Sequence, residues 1–145
     1  MELTAFTDYS LRVLMFLAQN DGRQSSIDEL AEYYDLSRHH VAKITGRLSK
    51  AGFLVSSRGK HGGVALAMDA KDINLAAVVK QTEPHFNLVE CFADGKNGCR
   101  LSECCRLKGI LLGARAQFFS YLEKFTLADA VAGKWPAPAE VSGSK

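Results

Sequence analysis

The sequence lacks any apolar run that approaches the ~20 residues needed to span a membrane, and no basic, apolar leader opens it. We therefore expect a cytoplasmic protein without membrane contact. It also lacks a glycine-rich nucleotide-binding motif and a nucleophile paired with a base, so we do not expect an enzyme. With 145 residues and 47% apolar composition, the chain suits one compact domain plus an appendage.

Acidic residues are missing from one stretch of the chain. No Asp or Glu occurs from Leu36 to Met68, although acidic residues flank this stretch on both sides. Its basic residues are Arg38, Lys43, Arg47, Lys50, Arg58 and Lys60, with His39, His40 and His61 beside them. Phosphate binding draws on Lys and Arg and is opposed by nearby carboxylates. The stretch therefore indicates a surface for nucleic acid, with a merely solvated basic face as the alternative.

Hydrophobic periodicity predicts two helices before the basic stretch. The first spans about residues 4–20 and ends at Asp21-Gly22. Ser26 and Glu29 have the spacing of a capping box, in which each side chain satisfies a backbone donor, and the second helix continues to Tyr34.

A third helix is predicted after Ser37, its N-cap, and it ends at Ala51-Gly52. Apolar residues recur along one side at helical spacing. The outward side would present Arg38, His39, His40, Lys43 and Arg47. Two helices joined by a short turn, the second with basic side chains near its start, are typical of a helix-turn-helix that reads the major groove.

A β-hairpin is predicted directly after this helix. Residues 53–55 and 64–66 form apolar strands around Arg58-Gly59-Lys60-His61-Gly62-Gly63. Such a hairpin is a wing, and its Arg58, Lys60 and His61 would lie near the DNA backbone or the minor groove. The fold class is therefore mainly α with a small β-hairpin, a winged helix-turn-helix domain over residues 1–80.

Cysteines dominate the next segment, residues 81–106, which follows a short helix broken at Glu83-Pro84. In a reducing compartment, Cys91, Cys99 and Cys105 are more typical of ligands or reactive thiols than of disulfides. Soft thiolates favour iron–sulfur clusters, and three of them leave one position for a different ligand. Zinc remains a plausible alternative.

A long helix is predicted from about Cys105 to Lys124. Its apolar residues recur at three- and four-residue spacing, as in a coiled-coil seam, and are Leu107, Leu111, Ala114, Phe118, Leu122 and Phe125. A copy of the chain in a twofold dimer is the most economical cover for this stripe. Residues 107–132 would thus form a dimerisation helix and a C-terminal helix starting near Thr126, and residues 133–145 a flexible tail.

These motifs together resemble the family of dimeric winged-helix regulators that carry iron–sulfur clusters, which includes the nitric oxide sensing NsrR repressors and IscR. The resemblance covers nearly the whole chain. It is carried by Asp8-Tyr9, the helix-turn-helix, the glycine-rich wing, Glu83-Pro84, Leu88-Val89-Glu90-Cys91, Cys99 and Cys105-Arg106-Leu107-Lys108. IscR has a histidine ligand at the position of Lys108, so the chain is more similar to the nitric oxide sensing members.

The resemblance implies a ligand set for the cluster. Cys91, Cys99 and Cys105 would be its thiolates, with Asp8 of the partner subunit as the fourth ligand. From the residues alone, Asp8 is instead better read as a helix N-terminal charge that faces Arg12 one turn later. The neighbouring Cys104 is expected to pack as a small apolar residue.

The function implied by the resemblance is transcriptional repression. The homodimer would bind palindromic double-stranded operator DNA while its iron–sulfur cluster is intact. A 4Fe-4S cluster is favoured and a 2Fe-2S cluster is possible. Nitrosylation of the cluster by nitric oxide would release the DNA. The residues themselves leave two alternatives open. One is a zinc- or thiol-based regulator of the same fold, and the other is a redox protein that uses its cluster catalytically.

Overall fold

A computed structural model describes residues 2–20, 22–59, 62–93, 98–101 and 104–133. Lys60, His61 and the predicted tail beyond residue 133 lie outside the described residues. The helices are α1 Ala5–Gln19, α2 Ile27–Tyr34, α3 Arg38–Lys50, α4 Leu75–Thr82, α5 Arg106–Leu122 and α6 Leu127–Val131, and the strands are β1 Leu54–Ser56 and β2 Val64–Leu66. The predicted fold class, mainly helical with a small hairpin, is confirmed.

Side-chain caps start the first three helices, two of them at the predicted positions Ser26 and Ser37. The hydroxyls of Thr4, Ser26 and Ser37 accept hydrogen bonds from backbone N–H groups three residues later. The capping box at Ser26 is only half formed, because the carboxylate of Glu29 pairs with Arg23 instead of returning to the Ser26 backbone. An ion pair with an arginine competes well with a single backbone donor at an exposed position.

The hairpin is antiparallel, with Leu54 opposite Leu66 and Ser56 opposite Val64. A single residue from the loop before α2 extends it, since Ser25 exchanges two backbone hydrogen bonds of 2.9 Å with Val64. This bridge fixes the base of the hairpin to the start of the helix-turn-helix.

One apolar core holds the first helices and the hairpin together. Its fully buried members include Leu14 of α1, Leu30 of α2, Ile44 and Leu48 of α3, and Val78 of α4. The O–H of Tyr34 also donates to the carbonyl of Arg12 at 2.6 Å and so joins α2 to α1. We call this unit, α1–α4 with the hairpin, the head.

Helix α6 follows α5 in the chain but returns to the head. Leu127 is completely buried in the head's core, and the Gln19 side chain donates to the carbonyl of Val131 at 2.9 Å. Thr126 and Asp129 form a complete capping box, as the sequence suggested for a helix start. Its hydrogen bonds lower the pKa of Asp129.

Helix α5 packs on α4 and on the segment around Phe86, and much of its surface remains open. None of its 17 residues, all of which the structure describes, is buried. The predicted apolar stripe is partly covered inside the chain, because Phe118 and Phe119 stack edge-to-face and Phe119 meets Phe86 at 4.6 Å. The most exposed large apolar side chains of the helix are Leu107, which belongs to the predicted stripe, and Ile110 and Tyr121 on the line beside it, with 59%, 65% and 61% exposure.

None of the helices within the described ranges combines the length and the apolar composition that a membrane-spanning helix requires.

Candidate functional site

Helix α3 presents its predicted basic side chains at the surface. Val41, Ile44 and Leu48 are buried, so the opposite side of the helix faces outward. Arg38, His39, Lys43 and Arg47 are exposed there. Ser37 caps the helix by accepting from the His40 N–H at 3.2 Å, which leaves its hydroxyl proton available as a donor.

His40 does not point outward as predicted. It is half-buried, with its ring 6.4 Å from the ring of Phe6 and 5.9 Å from that of Tyr9. The start of α1 crosses the start of α3 and leaves a slot between two aromatic rings, which a flat imidazole fills. His40 thus joins α1 to the first turn of the recognition helix.

Two of the exposed arginines have partners that the sequence did not reveal. Arg38 pairs with Asp28 of α2 at 2.5 Å, and both side chains are mostly exposed. Arg47 donates from Nε to the carbonyl of Gln81 at 2.7 Å, at the end of α4. This bond orients the Arg47 side chain, and its terminal nitrogens remain as donors.

The wing depends on glycines that approach other backbone closely. A Cβ on Gly63 would lie 2.6 Å from the Ser25 carbonyl oxygen, and one on Gly62 would collide with the Ser57 carbonyl. The Ser57 hydroxyl further binds the Gln24 side chain at 2.7 Å. Arg58, at the tip, is fully available at the surface.

A groove of about 370 Å³ separates α3 from the wing. Small and hydroxyl-bearing residues line it, including Thr45, Gly46 and Ser49 of the helix and Ser56 and Gly59 of the hairpin. Because these side chains are short, the groove can admit an extended backbone between the basic residues of α3 and Arg58. The geometry and charge suit a phosphodiester strand.

The cysteines lie between α4 and the start of α5. Cys91 is half-buried within the 3₁₀ turn Glu90–Phe92, and Cys105 is the half-buried N-cap of α5. All four cysteines are present as thiols.

Cys104 contradicts its prediction. We expected a packed apolar residue, but Cys104 is exposed, and its thiol contacts only the Leu101 carbonyl at 3.8 Å among the residues described. The reason is local, since Cys104 lies in the turn before α5 and has no helix face to bury.

Asp8 lies in the first turn of α1, where both of its oxygens bind Arg12. The two contacts measure 3.1 Å and 2.9 Å, and both side chains are about half exposed. Within one chain, Asp8 is therefore the helix charge that pairs with the residue one turn later. Its carboxylate remains accessible to a second subunit.

Glu83 connects the first turn of α1, which carries Asp8, to the beginning of the cysteine segment. In the sequence this residue marks the end of a helix and gives no sign of the contact. Glu83 accepts hydrogen bonds from the Thr7 hydroxyl at 2.5 Å, the Thr4 hydroxyl at 3.0 Å and the Thr4 N–H at 3.1 Å. Burial opposes the charge of this carboxylate, but these hydrogen bonds outweigh it and lower the pKa of Glu83.

The described residues of one chain do not bring three His, Cys, Asp or Glu side chains together as a metal site. The donor set nevertheless suits an iron–sulfur cluster. It offers three thiols, one of them at a helix N-terminus, and these are the ligands on which such clusters depend. A fourth ligand from a partner subunit lies by definition outside a single chain.

Comparisons with known proteins place this geometry in a family. The model of the Rrf2 family, described as iron-dependent transcriptional regulators, matches residues 3–133. The HTH-type transcriptional regulator NsrR of Bacillus subtilis (strain 168) is 46% identical over 92% of this chain and 92% of its own length.

Solved structures agree on the fold. A Listeria innocua protein superimposes with a TM-score of 0.74 at 26% identity, covering 94% of this chain and 90% of its own. The structure of T. potens IscR superimposes with a TM-score of 0.68 at 22% identity, covering 100% of this chain and 93% of its own. The chain therefore belongs to the Rrf2 family of transcriptional regulators, which are not enzymes, and is similar throughout to the NsrR relatives within it.

Proposed function

We propose that this regulator is a cytoplasmic, homodimeric repressor that binds palindromic operator DNA and releases it in response to nitric oxide through an iron–sulfur cluster. The observation that carries the proposal is the chain's three thiols combined with an accessible carboxylate at the start of α1, in a chain similar to NsrR over nearly its whole length.

The DNA surface would consist of the exposed side of α3 and the wing. Arg38, His39, Lys43 and Arg47 would meet the major groove, with Ser37 donating to a phosphate at the helix start. Arg58, Lys60 and His61 would follow the backbone toward the minor groove. In this arrangement His40 acts as a packing residue beneath the surface.

The exposed line of α5 would form the dimer seam. Leu107, Ile110 and Tyr121 are each more than half exposed, which is costly for large apolar side chains unless a partner covers them. A second copy of α5 offers the same line in reverse, as a twofold interface requires.

Cys91, Cys99 and Cys105 would hold the cluster, and Asp8 of the partner subunit would complete it. When bound, the cluster supplies an iron that carries a carboxylate in place of a fourth thiolate and is therefore open to attack by a small molecule. We propose a 4Fe-4S cluster, and a 2Fe-2S cluster could be held by the same donors.

Asp8 is well situated to transmit its state to the DNA surface. It lies between Phe6 and Tyr9, whose rings hold His40 in the first turn of α3. If Asp8 turns from a partner's cluster to its own Arg12, the start of α1 can shift against His40. A shift of the two recognition helices away from the roughly 34 Å spacing of successive major grooves would weaken binding.

The test is to measure iron, acid-labile sulfide and zinc per monomer in protein purified without oxygen, together with operator affinity before and after nitric oxide. We expect about four iron and four sulfide per monomer for a 4Fe-4S cluster, and loss of DNA affinity with nitric oxide. Zinc without sulfide would contradict the proposed signal and leave the DNA-binding role standing.

Two matched variants separate the roles of Asp8. If Asp8 matters only through its ion pair, Asp8→Asn and Arg12→Gln have the same effect, because each removes one partner. If Asp8 is a ligand, only Asp8→Asn changes the visible spectrum of the loaded protein and its response to nitric oxide. Equal effects of the two variants would remove Asp8 from the ligand set.

A further inference from the structure

Two charged side chains connect the turn that holds Cys91 to α5, which begins after Cys105, and to Gly98, which precedes Cys99. Neither side chain belongs to the predicted ligand set. One is Arg115, two turns and more into α5, and the other is Glu90, immediately before Cys91.

Arg115 contacts both ends of residues 86–92, the segment that contains Cys91. Its Nη1 donates to the carbonyl of Phe86 at 3.2 Å, and its guanidinium lies 4.8 Å from the ring centre of Phe92. The side chain is half-buried, so these contacts are partly shielded from water. One arginine thereby fastens the Cys91 turn to α5, the helix that begins at Cys105.

The two ends of this segment are not held equally. Phe86 also packs edge-to-face on Phe119, whereas the described contact of the Phe92 ring is with Arg115. Removal of Arg115 should therefore loosen the end that carries Cys91 more than the end at Phe86.

Glu90 makes the second connection. Its Oε1 accepts a hydrogen bond of 2.8 Å from the N–H of Gly98. Since Glu90 precedes Cys91 and Gly98 precedes Cys99, this bond closes the chain between the two cysteines. A charge-assisted bond to a backbone N–H is stronger than a neutral one.

We propose that Arg115 and Glu90 are positioning residues that arrange the thiols for the cluster, an inference that rests on the proposed function. Arg115 sets Cys91 against α5 and so relates it to Cys105, and Glu90 sets Cys91 relative to Cys99. Ligands held in place before the metal arrives lose less freedom on binding, and supporting residues of this kind affect metal affinity strongly.

The experiment uses the full-length protein in two states. In the reduced, metal-free state, the rates at which iodoacetamide alkylates Cys91 and the exposed Cys104 are compared by peptide mass spectrometry. In the loaded state, the rate at which acid-labile sulfide is lost to a chelator is measured.

Arg115→Met should raise the alkylation rate of Cys91 relative to Cys104 several-fold, and it should speed sulfide loss. Arg115→Lys keeps a positive charge above Phe92 but lacks the planar guanidinium that also reaches Phe86, so its alkylation ratio should lie between those of the wild type and Arg115→Met. Lys124→Met removes an exposed positive charge just beyond the far end of α5, distant in sequence from every cysteine, and should leave the alkylation ratio unchanged. Phe92→Leu keeps an apolar group but removes the aromatic face that Arg115 contacts, so it should change the alkylation ratio as Arg115→Met does. It provides the test if Arg115→Met does not fold.

Glu90→Ala should speed sulfide loss more than Glu90→Gln, whose amide oxygen can still accept from Gly98. An unchanged alkylation ratio in both Arg115→Met and Phe92→Leu would overturn the role of Arg115, as would an effect of equal size in Lys124→Met. If the wild-type protein takes up no cluster, the proposed function fails, but the alkylation ratio in the metal-free protein still tests the positioning.

Discussion

The head and α5 differ in how they bury apolar surface. Every buried apolar residue in the described part of the chain belongs to the head, to Ile73 before α4, or to α6, whereas α5 has none. The head can close its core within one chain because its four helices, the hairpin and α6 surround the same centre. Helix α5 extends past that centre and packs instead on α4 and on the segment around Phe86 and Phe92.

This contrast suggests a division of labour. The part that would read DNA is stabilised by its own core, and under the proposed function the part that senses a signal would need a partner subunit and a cluster to complete it. A change in the sensing part can then alter the relation between two heads without unfolding either of them.

The largest effect should follow from a cavity in the head. Leu48→Ala removes a fully buried side chain of α3 and should lower the free energy of unfolding by about 2–5 kcal/mol. Chemical denaturation followed by circular dichroism measures this loss. Leu107→Ala is the matched control, because Leu107 is 59% exposed, and an equal loss there would contradict the contrast between the head and α5.

A charge on the open line of α5 should weaken the dimer instead. Ile110→Glu should weaken self-association by about 2 kcal/mol or more, since a charge would be buried in the seam, while the secondary structure of the head remains. Sedimentation velocity over a range of concentrations measures this. Ala116→Glu adds the same charge at an exposed position on the other side of α5 and should leave self-association unchanged, and a variant Ile110→Glu that dimerises like the wild type would place the seam elsewhere.

Glu83 should make the link between α1 and the cysteine segment sensitive to acid. Glu83→Gln should cost about 1–2 kcal/mol at neutral pH, because a charged acceptor of three hydrogen bonds is lost.

The pKa of Glu83 is lowered in the folded protein, so its stabilisation is fully present above the ordinary value of 4.5 and is lost as the pH falls through the lower folded value. Melting curves of the wild type and Glu83→Gln should therefore converge in acid. A difference in melting temperature that stays constant from pH 7 to acid would contradict this account.

The smallest effect concerns the wing. Arg58→Ala should weaken operator binding by about tenfold or less and reduce the slope of log affinity against log salt by about 0.9, the value for one phosphate contact. Fluorescence anisotropy at several salt concentrations measures both. Lys71→Ala, which removes an exposed positive charge from the turn after the wing, is the control, and an unaltered slope for Arg58→Ala would exclude a phosphate contact there.

Local patterns predicted much of this structure. The helix starts at Ser26, Ser37 and Thr126 could be predicted because a hydroxyl residue just before a run with helical hydrophobic periodicity commonly caps that helix. The hairpin was visible from its glycines and its paired apolar strands. These features depend on residues within a few positions of one another, so the sequence carries them directly.

Contacts between distant segments could not be predicted in this way. Glu83 reads as a helix end, but in space it receives three hydrogen bonds from the start of α1. His40 reads as one more basic residue of α3, but it fills a slot between Phe6 and Tyr9. In both cases the partner lies more than 30 residues away, and no local pattern encodes it.

By itself, the sequence determined the helix boundaries, the wing, the segregation of basic charge and the three candidate thiols, because each follows from residue type and short-range spacing. Only the tertiary structure decided that α6 returns to the head, that the open line of α5 runs through Ile110 and Tyr121, and that Arg115 and Glu90 support the Cys91 turn. These outcomes depend on which surfaces meet after the core closes, and that is a property of the packed chain as a whole.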